Sequence, residues 1–131
     1  MKKCIFLNVI VPIVVGAFLY YLFFPDVGFV KLTDKLIGIS CHIPLKLDNI
    51  LIKSIRFYLF DYLWAYSLMS LVSILFKESK DVYVIVLLFV LVMEIIQLVP
   101  GIPGTFDVFD VVIEMIACLI AIRMNKRRVE L

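Results

Sequence analysis

Residues 94–114 read EIIQLVPGIPGTFDVFDVVIE, and this stretch decides how the rest of the chain is read. It joins the end of one strongly apolar segment to the start of another. It also carries Glu94, Gln97, Asp107, Asp110 and Glu114 beside or inside sequence that suits a lipid environment. Ionisable side chains are costly in hydrocarbon, so a carboxylate placed there is a candidate functional group by default.

The whole chain fits that environment. It has 131 residues, of which 64% are hydrophobic, against roughly 45–50% apolar residues in an ordinary soluble domain. The apolar runs are long and the charged stretches between them short, which predicts an all-α, integral membrane bundle. We expect one domain spanning residues 1–131, with four transmembrane helices at about 4–24, 55–76, 82–99 and 107–124. The net charge of +2 is small, and no basic-aromatic stripe points to nucleic acid. Cys4, Cys41 and Cys118 form no CxxC pair and no metal spacing, and read as small apolar residues.

Upstream, Lys2 and Lys3 precede the run Cys4–Phe24, which is too long for a typical signal-peptide core and lacks a small-x-small site after it. It reads as an uncleaved first span that Pro12 bends. Residues 26–54 alternate lysines and aspartates with Leu and Ile, an amphipathic segment expected to lie along the membrane surface between helices 1 and 2. The single histidine, His42, has no second histidine with which to share a metal and reads as an interfacial loop residue. Asp48 is a candidate N-cap for the second span. Lys53 and Arg56 fall near its start, and Asp61, Trp64 and Ser67 follow at spacings of three. Trp64 and tyrosines 58, 62 and 66 suit an interfacial belt. Residues 77–81 (KESKD) read as a tight charged turn, and Pro100–Gly104 as a break between the last two spans. Thr105 or Asp107 can cap the last helix.

With four spans, the two termini and the 77–81 turn share one side, rich in Lys and Arg, which the positive-inside rule places in the cytoplasm. The location expected is therefore the cell membrane, multi-pass, with both termini cytoplasmic. Asp61, Glu94, Gln97, Asp107, Asp110 and Glu114 then gather in the outer third of the bilayer, contributed by three helices. Residues 107, 110 and 114 share a helix face, as do 94 and 97. Polar groups are not expected to continue to the cytoplasmic side. Several carboxylates at close range must be protonated, paired with Arg56, or neutralised by a bound cation. Ca²⁺ or Mg²⁺ suits oxygen ligands, and so does an amine-bearing ligand. Asp107 and Asp110, at a helix start, also suit simple capping and dipole roles. HExxH, GxSxG and Gly-rich phosphate loops are absent from the sequence.

Glu94-Ile95-Ile96-Gln97, a Gly/Pro loop, then Phe106-Asp107-Val108-Phe109-Asp110 opening a last helix resembles the VanZ-like membrane proteins, over about residues 55–124. Asp61-Tyr62-Leu63-Trp64 falls where that family has a polar residue in the preceding helix. Gly104 and Thr105 stand where members often have an arginine, and Glu114 takes the polar place in the last helix. The resemblance implies a bacterial cell-envelope protein contributing to glycopeptide (teicoplanin) tolerance. Asp61, Glu94, Gln97, Asp107, Asp110, Glu114 and Arg56 would then bind a ligand, such as a lipid-linked cell-wall precursor or a glycopeptide, with a divalent cation as a candidate companion. Two other readings use the same residues. One is a membrane enzyme acting on a lipid-linked phosphate or peptidoglycan precursor, and the other is a structural partner subunit whose acids pair helices.

Overall fold

The computed structural model describes residues 2–43, 50–76, 79–100 and 106–129 of the chain. Among these residues there are five helices and no strand, so the fold is all-α. We label them in chain order. α1 starts as an α-helical turn at Lys2–Ile5, widens to a π-helix at Phe6–Ile10 and continues as α-helix over Val11–Phe23. α2 is Gly28–Ile37, α3 Ile50–Leu75, α4 Lys80–Ile96 and α5 Val108–Val129.

Pro12 accounts for the wide turn in α1. A proline has no N–H to give, and its ring crowds the carbonyl four residues back, here that of Asn8. The chain relieves this by a π-type bond, with the Val11 N–H donating to the Phe6 carbonyl. The expected bend at Pro12 is thus a local π-helical stretch, and it presents Asn8, which is buried, toward the bundle.

α3 is the central helix. It packs most extensively on α5 and also against α1 and α4. The α3–α5 seam is close because its residues are small: Ala65, Ala117, Cys118 and Ala121 are all fully buried there, with Met69 filling the space between. Small residues let helix backbones approach, and packing of this kind holds helices together in lipid. The Cys118 thiol lies 3.8 Å from the Ala65 carbonyl, which fixes the register of the two helices. Asp61 and Glu114 stand four residues earlier on each, about 6 Å along the axis at ~1.5 Å per residue.

One end of the bundle carries Asp61, Glu94, Asp107, Asp110 and Glu114, and we call it the acidic end. α1 and α4 run toward it, and α3 and α5 away from it. At the opposite, basic end the Asn8 side-chain amide donates to the Asn125 carbonyl oxygen at 2.8 Å, tying the first helix to the last, and Asn125 donates to the Ala121 carbonyl at 2.8 Å. Breaking one partner of a buried polar pair strands the other, at a cost of about 1–3 kcal/mol, while replacing both with apolar groups costs less. We therefore expect Asn8→Leu and Asn125→Leu each to lower the thermal midpoint in detergent, and the double variant to lose less than the sum of the two. Strict additivity in that cycle would show that the pair is not coupled.

The surface is apolar where a soluble protein would be polar. Phe18, Phe89, Leu88, Leu119 and many other large apolar side chains are exposed. On α2 the exposed stripe is Phe29, Leu32 and Leu36, while the buried face holds Val30. Two stretches are long and apolar enough to cross a membrane: Phe6–Phe23 and Tyr58–Leu75.

Helix ends differ from expectation in four places, the first being α3, which begins at Ile50, ahead of the expected 55. α4 begins at Lys80, so Lys80 and Asp81 form its first turn and are not part of a charged turn; Asp81 there suits the helix dipole. α4 also stops at Ile96, not near Val99. The N–H groups of Leu98 and Val99 donate to the carbonyls of Ile95 and Ile96, a tightened last turn before Pro100, which disfavours helix in the residue before it. α5 runs on to Val129, past the expected end near 124. Asp48 and residues 101–105 (the Gly/Pro loop with Thr105) lie outside the described residues.

Candidate functional site

Asp107 occupies the N-cap of α5. Its side-chain oxygen accepts the Phe109 N–H at 2.9 Å, and its carbonyl accepts the N–H groups of Asp110 and Val111. This resolves the choice between Thr105 and Asp107 as the capping residue in favour of Asp107. Cap formation sets the phase of α5, and the phase carries Asp110 and Glu114 onto its inner face.

The acids predicted to converge do so. Asp61 of α3 lies within electrostatic reach of Asp110 and Glu94. Glu114 of α5 has Glu94, Asp61 and Asp110 around it. Glu94 in turn faces Asp110 and Asp107. Three helices thus present carboxyls to one region at the acidic end. The depth of each differs. Glu114 is 0% exposed and Glu94 is 4% exposed, while Asp61, Asp107 and Asp110 are half-buried.

Hydrogen bonds account for only part of this cluster. Gln97, one turn beyond Glu94, donates its amide N–H to Glu94 Oε1 at 2.9 Å, an i to i+3 contact that orients the carboxyl. Glu94 Oε2, Asp110 Oδ1 and both carboxyl oxygens of Glu114 are buried and have no hydrogen-bond partner. Among the described residues no lysine or arginine pairs with any of these acids. Arg56, the expected cationic partner, lies on α3 but its side chain is outside the described residues. A buried carboxyl without a partner costs free energy in proportion to what it has lost on leaving water, so the arrangement calls for a proton or a bound positive group.

Two side chains join the site that the sequence does not single out for it. Trp64, expected in an interfacial belt, lies beside both Asp61 and Glu114. Tyr58 sits by Asp107 and Asp110 at the rim. An indole N–H and a phenol O–H near carboxyls furnish donors, and an aromatic face attracts cations. Among the described residues no three His, Cys, Asp or Glu side chains are arranged to hold a metal ion. The cluster is spread across three helices and suits an extended cationic group better than one compact ion.

Buried polar groups do not stop at the acidic end, contrary to expectation. Ser67, Ser70 and Ser73 on α3 are buried, as are Asn8 and Asn125. Ser67 and Ser73 bond back to the carbonyls of Leu63 and Met69, both at 2.7 Å, a common way for serine to be satisfied inside a helix. The Ser70 hydroxyl is buried without a partner. The signal for this stripe is the spacing of three between the serines of α3.

Cys4, Cys41 and Cys118 are unpaired, with Cys118 buried and Cys41 exposed. Comparison of the chain with protein-family models, with characterised proteins and with solved structures finds no match.

Proposed function

We propose that this chain is a VanZ-type integral membrane protein of the bacterial envelope, and that its acidic end is an outward-facing site for the positively charged part of a cell-wall-directed ligand. The ligand class is an amine-bearing glycopeptide or lipid-linked precursor. The observation that carries the reading is Glu114: fully buried, both oxygens unpartnered, and surrounded by carboxyls of two other helices. An acid serving only to pair helices would be met by a basic side chain, whereas the donor beside Glu114 is the neutral Trp64 indole.

We infer four spans by counting α4 and α5 with the two stretches above. α4 has 17 residues, about 25 Å of helix and within the roughly 17–25 residues that cross a bilayer. α5 has 22 residues, with its acids at one end and Arg123, Lys126, Arg127 and Arg128 at the other. Lys2 and Lys3 join those basic residues, which supports cytoplasmic termini by charge bias. The ligand is held by Asp61, Glu94, Asp110 and Glu114, oriented by Gln97 and bounded by Trp64, with Asp107 shaping the rim.

The test is teicoplanin susceptibility of a susceptible Gram-positive host expressing the chain, beside Asp110→Asn at matched membrane abundance. We expect tolerance with the wild type and its loss in the variant. Equal tolerance in both would remove the carboxylates from the mechanism, and tolerance in neither would remove the glycopeptide reading.

A further inference from the structure

The segment after α2 is tied to the end of α1 by a connected set of hydrogen bonds, none of which involves the acidic cluster. α2 ends at Gly38, whose φ of 72° lies in the left-handed region that a residue with a Cβ rarely adopts. The reversal brings residues 39–43 back over the last turn of α1. There the Ile43 N–H donates to the Leu22 carbonyl at 3.2 Å. The Tyr21 hydroxyl donates to Asp34 Oδ1 at 2.6 Å and lies 3.1 Å from the Ile39 carbonyl.

His42 sits at the centre of this set. Its Nδ1 is 3.1 Å from the Tyr21 carbonyl oxygen and its Nε2 is 2.7 Å from Asp34 Oδ2. A carbonyl oxygen only accepts, and an ionised carboxylate only accepts. Both ring nitrogens must therefore donate, and only the imidazolium carries a proton on each. The position reinforces that state. The Tyr21 and Leu22 carbonyls belong to the last turn of α1, where a helix has unsatisfied acceptors and partial negative charge. The groups facing His42 are Asp34 from α2 and Tyr21 from α1, with Cys41 exposed beside it on its own segment. Lys31 reaches Asp26 at 4.0 Å and Lys35 is exposed. The Asp34 carboxylate hydrogen-bonded to His42 holds the imidazole above its ordinary value, against a smaller opposing effect of desolvation. Asp34 is held below the usual carboxylate range by the Tyr21 hydroxyl and by His42.

α2 is also the wall of a cleft. Phe29, though largely exposed to the outside, borders an open cleft of about 330 Å³ whose other walls include Pro12, Ile13 and Gly16 of α1 and Leu63 and Trp64 of α3. Trp64 is the same side chain that borders Asp61 and Glu114. Whatever holds α2 in place therefore holds Phe29 against this cleft.

We propose that His42 is a pH-operated latch: as an imidazolium it fastens α2 and residues 38–43 to the end of α1, and losing its proton releases one of its two bonds and frees α2 to swing from the cleft. The direction of the effect is fixed. A raised histidine value means the contribution is complete below the ordinary value of about 6.5 and is lost as pH rises through the raised value. The lowered Asp34 value means its contribution is present above the usual carboxylate range and is lost as pH falls through the lowered one. The latch is closed between those two limits and opens on the alkaline side. This proposal is independent of the ligand reading above.

His42 is the chain's single histidine, so ¹⁵N-histidine labelling of the full-length protein in lipid nanodiscs gives one imidazole to follow. We expect both nitrogens to carry protons at pH 6, below the ordinary imidazole value, and Asp34→Asn to shift the midpoint down. Amide exchange of residues 38–43, corrected for base catalysis, should speed up by about fivefold as pH rises through that midpoint, the loss of roughly one hydrogen bond. His42→Gln should abolish the pH step. A single neutral tautomer at pH 6 in the wild type overturns the proposal. So does an exchange rate that ignores the His42 titration, whether or not either variant folds.

Discussion

We expect replacement of Glu114 by methionine to raise the thermal midpoint of the protein by several degrees and, if the acidic end is the proposed ligand site, to abolish tolerance. The two effects have one cause. Glu114 is fully buried with neither carboxyl oxygen bonded, so the native state carries the cost of an unsatisfied polar group, about 1–3 kcal/mol on the scale of protein mutations. Methionine has similar length, packs adaptably and removes the unbonded atoms. The gain in stability and the loss of function are then linked, as at sites kept polar for binding. Thermal unfolding in detergent, with the susceptibility assay above, checks both halves. A lower midpoint in Glu114→Met would mean that the carboxyl holds the bundle together, which is the structural-subunit reading.

Ala121→Phe has the opposite signature and the largest expected cost. Ala121 is fully buried in the α3–α5 seam with Ala65, Ala117 and Cys118. A benzyl group there has no cavity to enter. It forces the two helices apart along their small-residue seam, at a cost of about 3 kcal/mol. The register marked by Cys118 and Ala65 sets the positions of Asp61 and Glu114, so separation also disperses the acids. We expect little folded protein by size-exclusion chromatography and no tolerance. Ala117→Gly, which keeps the approach close, should retain the fold. A well-folded Ala121→Phe protein would show that the seam is looser than its burial implies.

Apolar run length locates all four long helices from the sequence, because the cost of exposing backbone and the number of residues per turn are local matters. The convergence of Asp61, Glu94, Asp110 and Glu114 is also legible, since spacing and helix direction place each acid near the same end. Other features depend on tertiary register. The Asn8–Asn125 bond links positions 117 apart, and no periodicity relates the first helix to the last. The π-helical stretch follows from Pro12 only once the crowding of the Asn8 carbonyl is considered. His42 reads as an ordinary loop residue until Gly38 turns the chain back and sets its ring between two acceptors. The start of α4 is hidden because Lys80 and Asp81 look like turn residues, yet Asp81 is favourable in a first helical turn. Residue type alone points Trp64 to the membrane interface, whereas packing aims it at the acids.

In the function proposed above, the carboxyls of α3, α4 and α5 form an acidic site open to the outside of the cell. The most direct test is the charge selectivity of thiol labelling in intact cells. Asp110→Cys is introduced with Cys4 and Cys118 replaced by serine, and native Cys41, exposed on the segment after α2, serves as the reference. Membrane-impermeant methanethiosulfonates of either charge are applied from outside. We expect the introduced thiol to react with the cationic reagent at least ~10-fold faster than with the anionic one, relative to Cys41, because a cluster of one sign of charge concentrates the opposite sign. We also expect Glu114→Gln with Glu94→Gln to reduce that preference. Equal relative rates for the two reagents, or no external labelling at position 110 while Cys41 is labelled, would contradict the proposed site.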